Sequence, residues 1–340
     1  MKIFDDGTDA AIFLTIYPNS INVEDKDIQA LATQCQSITN TTGRNLFIRF
    51  APEMNGHWFP YSGDTAAYIA LWRKVYTAIN AVAPTVAMVW SPNTDTSDGQ
   101  FPYAPYWPGE DYVDWVGLSL YWKGYENNYP LSFMVNSLCP SDYTAQMMDS
   151  QGPQGSKTSF YQEYAVKYNK PFVISEGGGA FQIAKSLNGV RSEIDAGPGR
   201  TAMVMSFWSS NIFNPAFLAK YPKFKMAISF EIWKKEAEQA YMTERDFRII
   251  GDDATAAAFH SEIQKLDTAG VVIWGQKPKP TTTTTTAVAA VSPTFSIVVT
   301  QVPPNKNVAT EKTSNSSTKN IVSAMLLLFI TLLLKEMIHN

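Results

Sequence analysis

The 340-residue sequence is poor in the residues that bind metals and form disulfides, with two cysteines and three histidines. Cys35 and Cys139 lie far apart and show no CxxC spacing. A disulfide between them and two free, buried thiols both remain open. The histidines, His57, His260 and His339, lack metal-ligand spacing. We therefore expect no metal and no other cofactor.

Runs of lysine and arginine are also missing from the body of the chain, and the net charge is −4. This charge pattern gives no electrostatic reason to expect nucleic acid as a partner. Neither GxGxxG nor GxxxxGKS follows the first apolar run, which disfavours nucleotide binding. Aromatic residues are plentiful at 13%, and many lie beside Pro, Asn or Gly, as in YAPYWPG and LYWKGYENNYP. Such rings often line ligand-binding surfaces.

The composition changes abruptly after residue 275. Residues 276–320 contain KPKP, six consecutive threonines and scattered Pro, Ser and Asn, without helical or strand periodicity. A segment of this kind cannot bury a core. It is typical of an O-glycosylated stalk, and a plain disordered linker is the alternative. The sequence thus predicts one folded domain over residues 1–275.

The last twenty residues, 321–340, begin with the hydrophobic run IVSAMLLLFITLLL. As a helix this run would be about 21 Å long, short of the hydrocarbon layer of a bilayer. It fits better a cleaved signal for a glycolipid (GPI) anchor, with the small residues 314–317 upstream. We therefore expect an extracellular protein attached to a membrane or cell wall. The opening MKIFDDGTDA shows no secretory signal, so we also expect the authentic beginning to lie upstream.

Short apolar runs alternate with helical patterns across the body of the chain. The runs lack polar alternation, as expected for parallel strands covered on both faces. Repeated strand and helix predict a parallel α/β fold, either a doubly wound sheet or a (β/α)8 TIM barrel. The predicted strands are AAIFLTIYP (10–18), NLFIRFAPE (45–53), TVAMVWSPN (85–93), VDWVGLSLYW (113–122), PFVISEGGG (171–179) and KMAISFEIW (225–233). The predicted helices are DKDIQALATQCQSI, DTAAYIALWRKVYTAINAVA, SFYQEYAVKY and DDATAAAFHSEIQKL.

Two carboxylates end predicted strands: Glu53 in FAPEMNG and Glu176 in FVISEGGG. A carboxylate at the end of a buried strand is costly unless it is used or neutralised. Ligand chemistry at the carboxyl ends of strands is characteristic of a barrel. A pair of glutamates across a bound sugar is the equipment for cleaving a glycosidic bond. Glu231, which also ends a run, has Lys234 and Lys235 nearby and is interpreted as a paired structural acid.

The stretch RFAPEMNGHWFPY resembles the signature of glycoside hydrolase family 26, and FVISEGGG and VDWVGLSLYW resemble two further strands of that family. The resemblance covers residues 3–275. It implies a (β/α)8 barrel of retaining enzymes that act on β-linked polysaccharides, chiefly mannans, mixed-linkage β-glucans and β-1,3-xylans. By this resemblance Glu53 is the acid/base and Glu176 the nucleophile. Tyr121 would hydrogen-bond the nucleophile. Further residues implied to contact substrate are Asn55, His57, Trp58, Trp90, Asn93 and Trp233.

The chain departs from the family pattern in two respects. Pro52 precedes Glu53 where the family has a histidine, and AAIFLTIYP corresponds to the third barrel strand, so that the first two β/α units are lacking. Besides a retaining hydrolase, two alternatives therefore remain: a non-catalytic carbohydrate-binding or wall protein, and a wall-remodelling transglycosylase. We expect a monomer. The triplets NTT at Asn40 and NSS at Asn315 permit N-glycosylation.

Overall fold

The computed structural model describes residues 8–95, 99–124, 135–151, 156–238 and 240–275. The predicted stalk and hydrophobic tail lie outside these residues. Among the helices within the described ranges, none combines the length and apolar character needed to cross a bilayer.

The described residues form two β-sheets and six α-helices. The strands are β1 (Ile12–Ile16), β2 (Leu46–Phe50), β3 (Ala87–Trp90), β4 (Trp115–Trp122), β5 (Phe172–Gly179), β6 (Phe181–Leu187), β7 (Val190–Glu193), β8 (Phe224–Ser229), β9 (Trp233–Glu238) and β10 (Tyr241–Asp246). The α-helices are α1 (Asp25–Thr42), α2 (Thr65–Val82), α3 (Tyr143–Asp149), α4 (Arg200–Phe207), α5 (Pro215–Lys220) and α6 (Asp253–Thr268). Two π-helical segments are Tyr161–Val166 and Trp208–Ile212.

The main sheet is parallel, with six strands in the order β1-β2-β3-β4-β5-β8. All six predicted strands are confirmed, and they are neighbours in chain order. In a flat sheet β2 and β5 would lie about 14 Å apart, because neighbouring strands are separated by nearly 5 Å. Yet Arg49 on β2 contacts Glu176 on β5. The sheet is therefore curled, as in part of a barrel wall.

Both faces of the curled sheet are buried, which explains why its strands lack polar alternation. One face packs against the helices, with Ile48 and Leu118 in a cluster that includes Trp72 of α2. The opposite, concave face carries a smaller apolar cluster that includes Phe47 and Val173. Adjacent residues on a strand point to opposite faces of the sheet. On the concave face, the side chains that follow the smaller cluster along the strands therefore line the interior of the curled sheet.

The second sheet is antiparallel, with the order β7-β6-β10-β9, and the sequence did not predict it. The predicted run 225–233 covers β8 except its first residue and ends on the first residue of β9, so Trp233 belongs to this second sheet. β9 reads WKKEAE and pairs with β10 along six residues. Its charges are balanced by ion pairs between strands, such as Arg245 with Glu236, rather than by burial. A strand of this kind cannot be recognised from hydrophobic periodicity.

Two further features settle or refine predictions. The predicted helix at 159–168 is a π-helical turn over Tyr161–Val166. Cys35 and Cys139 are both free and buried, so the disulfide alternative is not realised. Burial raises the pKa of the Cys35 thiol to about 12, as expected for an unreactive core cysteine.

Candidate active site

Glu53 is aimed over the carboxyl end of the main sheet by an unusual backbone. The chain leaves β2 with positive φ angles at Ala51 (42°) and at Glu53 itself (56°). Non-glycine residues in this region carry strain of about 1–3 kcal/mol each, and such strain clusters at functional sites. Hydrogen bonds hold the conformation: the Glu53 N–H donates to the Ser91 carbonyl at 2.9 Å, and the Tyr68 hydroxyl donates to the Ala51 carbonyl at 3.3 Å.

Glu176 lies on β5 with both carboxylate oxygens engaged. The pairing of β4 with β5 shifts register between Leu118 and Ser119, just before the position of Glu176. The Tyr121 hydroxyl donates to Oε1 of Glu176, and the Tyr17 hydroxyl donates to Oε2 at 3.3 Å. The hydrogen bond that was predicted from Tyr121 to this acid is therefore present.

Arg49 connects the two acids from below. Its side chain is fully buried on the concave face, where Nη1 forms an ion pair with Oε2 of Glu176. Nη2 lies 3.8 Å from Oε1 of Glu53. The same guanidinium donates to the hydroxyls of Ser91 at 3.2 Å and Ser119 at 2.5 Å. One cation thus contacts both carboxylates and is held in place by neutral hydroxyl acceptors.

Electrostatics favour a proton on Glu53. Burial raises the pKa of Glu53, and the negative charge of Glu176 raises it further, whereas Arg49 acts in the opposite direction. The Trp58 indole N–H donates to Oε2 of Glu53 at 2.9 Å and also favours the ionised form. The net direction is upward, as required of a carboxylic acid that donates a proton near neutral pH.

Aromatic rings form a rim beside Glu53. The Trp58 ring is 50% exposed and lies 5.9 Å from the Phe101 ring, measured between centroids. His57 is exposed, with its ring 5.6 Å from Phe101. A methyl group at Gly56 would lie 2.3 Å from atoms of the Trp58 ring, so only glycine allows the indole to fold back toward Glu53. The rim leaves flat apolar faces open to a ligand next to the acid.

The structure corrects two predicted substrate contacts. Trp90 is fully buried on the helix-facing side of the sheet, where its ring centroid lies 4.8 Å from that of Trp107 and 5.0 Å from that of Tyr164. It cannot stack on a sugar. Asn55 is 3% exposed, and its amide nitrogen donates to the carbonyls of Asn93 and Phe101 at 2.9 and 2.8 Å. Its role here is to pin two loops together.

Asn93, Trp233 and Glu231 lie in different surroundings. Asn93 is partly exposed at the carboxyl end of the sheet, bridged to Ser119, and its substrate contact stays a prediction. Trp233 is 43% exposed at the start of β9 in the second sheet, and its role also stays a prediction. Glu231 accepts hydrogen bonds from the Ser229 hydroxyl and from the backbone N–H groups of Ile249 and Ile250, so its partners are not the predicted lysines.

Sequence reasoning missed Arg49 and Tyr17. A signal existed for each: Arg49 is a charge inside the apolar run NLFIRF, and Tyr17 is a hydroxyl at the end of IFLTIY. A charge inside a buried strand calls for a partner, and here that partner comes from β5, far along the chain. Within the described ranges, no group of three or more His, Cys, Asp or Glu residues is arranged to hold a metal ion.

The curled parallel sheet, with paired acids at the carboxyl ends of its strands, defines an α/β protein with a half-barrel sheet. The sequence profile described as Glycosyl hydrolase family 26 matches residues 14–191, more than half of the chain. The chain belongs to glycosyl hydrolase family 26.

Individual relatives match over shorter stretches. Endoglucanase H of Acetivibrio thermocellus is 24% identical over 195 residues, which cover 51% of this chain and 19% of that protein. A β-1,3-xylanase of a Vibrio species is 35% identical over 82 residues, or 23% of this chain and 17% of the xylanase. The chain thus matches under a fifth of the length of each. Among solved structures, the catalytic domain of an endo-β-1,4-mannanase from Bacillus sp. JAMB-750 has a TM-score of 0.34 at 19% identity, covering 49% of this chain and 46% of that one.

Proposed function

We propose that the protein is a retaining glycoside hydrolase that cleaves β-linked polysaccharide with Glu53 as acid/base and Glu176 as nucleophile. The observation that carries this proposal is that both carboxylates contact the single guanidinium of Arg49. Such closeness is compatible with the separation of about 5 Å in retaining enzymes, in which no water fits between the nucleophile and the sugar.

The two acids would act in two steps. In the first, an oxygen of Glu176 attacks the anomeric carbon while the glycosidic C–O bond breaks, and Glu53 gives its proton to the departing oxygen. In the second, Glu53 takes a proton from water, the water oxygen attacks the anomeric carbon, and the Glu176 carboxylate is released. Tyr121 and Tyr17 orient the Glu176 carboxylate by hydrogen bonds to its two oxygens.

The relatives and the rim support a substrate class. The relatives matched in sequence include an endoglucanase and a β-1,3-xylanase. The sugar rings of β-linked polysaccharides have flat faces suited to stacking on Trp58 and Phe101. We therefore infer a β-mannan, β-glucan or β-xylan as substrate, cleaved within the polymer.

Release of reducing ends from soluble mannan, lichenan and xylan tests this function. We expect the full chain to hydrolyse at least one of them and Glu176→Ala to lose the activity. Glu163→Ala, which removes a surface acid paired with Lys167, is the matched control and should keep it. Polysaccharide binding without hydrolysis by the unmodified protein would overturn the proposal in favour of a carbohydrate-binding protein. Products longer than the substrate would show a transglycosylase.

We further propose that the protein acts as a monomer at the cell surface, held by an anchor attached after removal of the tail at residues 321–340. The sequence pattern of that tail and the preceding Thr/Ser-rich stalk support this location. Release of the expressed protein from intact cells by phosphatidylinositol-specific phospholipase C would agree with it. Recovery of the protein entirely in the cytosol would contradict it.

A further inference from the structure

A contact with Glu176 alone does not explain the position of Arg49, because its guanidinium also faces Glu53. It contacts Glu176 through Nη1 and faces Glu53 through Nη2, so that a different arm of the guanidinium serves each carboxylate. The Nη2 to Glu53 distance of 3.8 Å is at the long end of an ion pair. Nη2 is therefore near enough to Glu53 to pair with it when the acid is ionised.

The rotation of the guanidinium is fixed by a layer of serines beneath it. Ser91 and Ser119 accept hydrogen bonds from Nε and Nη2, and the Ser91 and Ser175 hydroxyls lie 2.5 Å apart. The Ser175 hydroxyl also donates to the Leu118 carbonyl at 3.1 Å. These neutral groups come from the end of β3, from β4 and from β5. They hold Arg49 between the acids without competing for its charge.

The two reaction steps move one negative charge past this fixed cation. In the proposed mechanism Glu176 attacks as a carboxylate, and Glu53 enters the first step with its proton. After Glu176 bonds to the sugar and Glu53 has given its proton to the departing oxygen, the negative charge lies on Glu53. The total charge of the three groups is unchanged. Arg49 needs only to exchange a contact through Nη1 for a contact through Nη2.

We propose that Arg49 is a positioning residue that serves as the shared counterion of the two acids, pairing with Glu176 in the free enzyme and with Glu53 in the glycosyl-enzyme. This inference rests on the proposed function. It assigns to one buried cation the stabilisation of Glu53 as a base in the second step, a state in which Glu176 no longer carries charge.

The other titratable groups facing Arg49 do not compensate its charge. Tyr17 follows β1 and Tyr121 lies on β4. The hydroxyl of each donates a hydrogen bond to Glu176. Burial and the nearby Glu176 charge raise the pKa of both phenols far above neutrality. Although burial alone would lower the pKa of Arg49, its contacts with Glu176, Tyr17 and Glu53 raise it. Arg49 is therefore the cation for both acids throughout the working pH range.

Removal of the charge tests the proposal. In Arg49→Met we expect the titration of Glu53 in the free protein, followed by NMR of 13C-labelled glutamate carboxyls, to move up by about one to two pH units. Because Glu53 must be ionised in the second step, hydrolysis of 2,4-dinitrophenyl β-glycosides, in which the second step is slow, should fall by about a hundredfold or more near neutral pH. The acidic limb of that step should also move up. In Arg49→Lys, which keeps the charge, Glu53 should titrate close to its position in the unmodified protein.

Arg245→Met is the matched control for folding. Arg245 is also fully buried, and its Nη1 pairs with Glu236 and Glu238 in the second sheet. We expect Arg245→Met to lower the melting temperature by a similar amount. It should leave the Glu53 titration and the rate of the second step unchanged.

Two outcomes separate the inference from the function on which it rests. An unchanged Glu53 titration in folded Arg49→Met, or in the equally uncharged Arg49→Gln if the former does not fold, would overturn the shared counterion even if the enzyme is active. A shifted titration in a protein whose Glu176→Ala variant hydrolyses polysaccharide normally would instead overturn the proposed function.

Discussion

The Trp58 indole is the side chain whose removal tests the acid role of Glu53 most directly. Trp58→Phe keeps a ring but removes the N–H that donates to Glu53 at 2.9 Å. Loss of a donor to the ionised form raises the pKa of Glu53 further. Because Glu53 must be protonated in the first step, we expect the alkaline limb of kcat/KM to move to higher pH, by about half a unit to one unit. A pH profile on polysaccharide measures this shift.

Trp274→Phe is the matched control for that change. Its indole N–H also donates to a carboxylate, Oδ1 of Asp267 at 2.6 Å, but at the end of the described region rather than at the acid pair. The alkaline limb should stay in place. An equal shift in both variants would show that the limb does not report on Glu53.

Glu53 and Glu176 should affect stability with opposite signs. The folded-state pKa of Glu53 is raised above its unfolded value near 4.3. The stability that Glu53 contributes is therefore lost as the pH rises from the unfolded pKa to the folded pKa. Glu53→Gln removes a group that must take up a proton on folding at pH 7, and should stabilise the protein at that pH by about 1 kcal/mol. Glu176→Gln leaves the buried Arg49 without its close partner and should destabilise by about 3 kcal/mol.

Urea unfolding at pH 7 measures both effects. Glu163→Gln, on the surface, should change the unfolding free energy by less than about 0.5 kcal/mol. Destabilisation of similar size by both site variants would mean that Glu53 is ionised in the resting protein.

Among the secondary-structure elements, those that pack through apolar surface were predictable and those held by charge were not. The six parallel strands are short apolar runs, and each was located to within a few residues of its true ends. β9 and β10 are stabilised by cross-strand pairs such as Arg245 with Glu236, which involve residues whose proximity depends on the fold. The helix α4 begins at Arg200 after a glycine with positive φ and no side-chain cap, so it had no recognisable start.

The same distinction applies to the candidate site. Glu53 and Glu176 could be selected because an acid at the end of an apolar strand is costly in any fold. The inward or helix-facing direction of a side chain depends on strand register, which a run without alternation does not reveal. Trp90 was therefore mistaken for a site residue. Arg49 lies on the neighbouring strand β2, one residue out of register with Trp90, and its side chain faces inward.

The loop that joins β2 to α2 depends on one buried amide. Asn55 accepts a hydrogen bond from the Asn93 N–H at 2.9 Å and donates to the carbonyls of Asn93 and Phe101. Asn55→Ala leaves these backbone groups without that partner, and we expect it to cost about 2–3 kcal/mol of unfolding free energy. Because the same loop carries Trp58, kcat/KM on polysaccharide should also fall.

Asn136 offers a control with the same bonding pattern elsewhere. Its amide donates to the carbonyls of Gln182 and Asp195 and accepts from the Gln182 N–H at 2.8 Å, which anchors β6. Asn136→Ala should lose similar stability but leave kcat/KM on polysaccharide unchanged. An equal fall in kcat/KM in both variants would show a global effect of lost stability rather than a local effect on the loop that carries Trp58.

Across the described region, the two sheets should respond to acid in opposite directions. Although burial alone would raise the pKa of Glu236, its neighbours Lys123, Lys234 and Arg245 lower it well below the usual range. Bonds from Arg248 likewise lower the pKa of Asp246 against the effect of burial. A lowered folded-state pKa stabilises the protein above the unfolded value near 4, and this contribution is lost as pH falls below it.

The antiparallel sheet should therefore govern acid unfolding. We expect the unfolding free energy in urea to fall by about 2 kcal/mol or more between pH 6 and pH 3, because the loss at Glu236 and Asp246 outweighs the gain from protonating Glu53. Glu236→Gln should be less stable at pH 6 and should show a smaller fall, whereas the surface variant Glu262→Gln should follow the unmodified protein. A fall of the same size in Glu236→Gln would place the acid-sensitive groups elsewhere, and the ion pairs of β9 and β10 would then contribute little to holding the second sheet together.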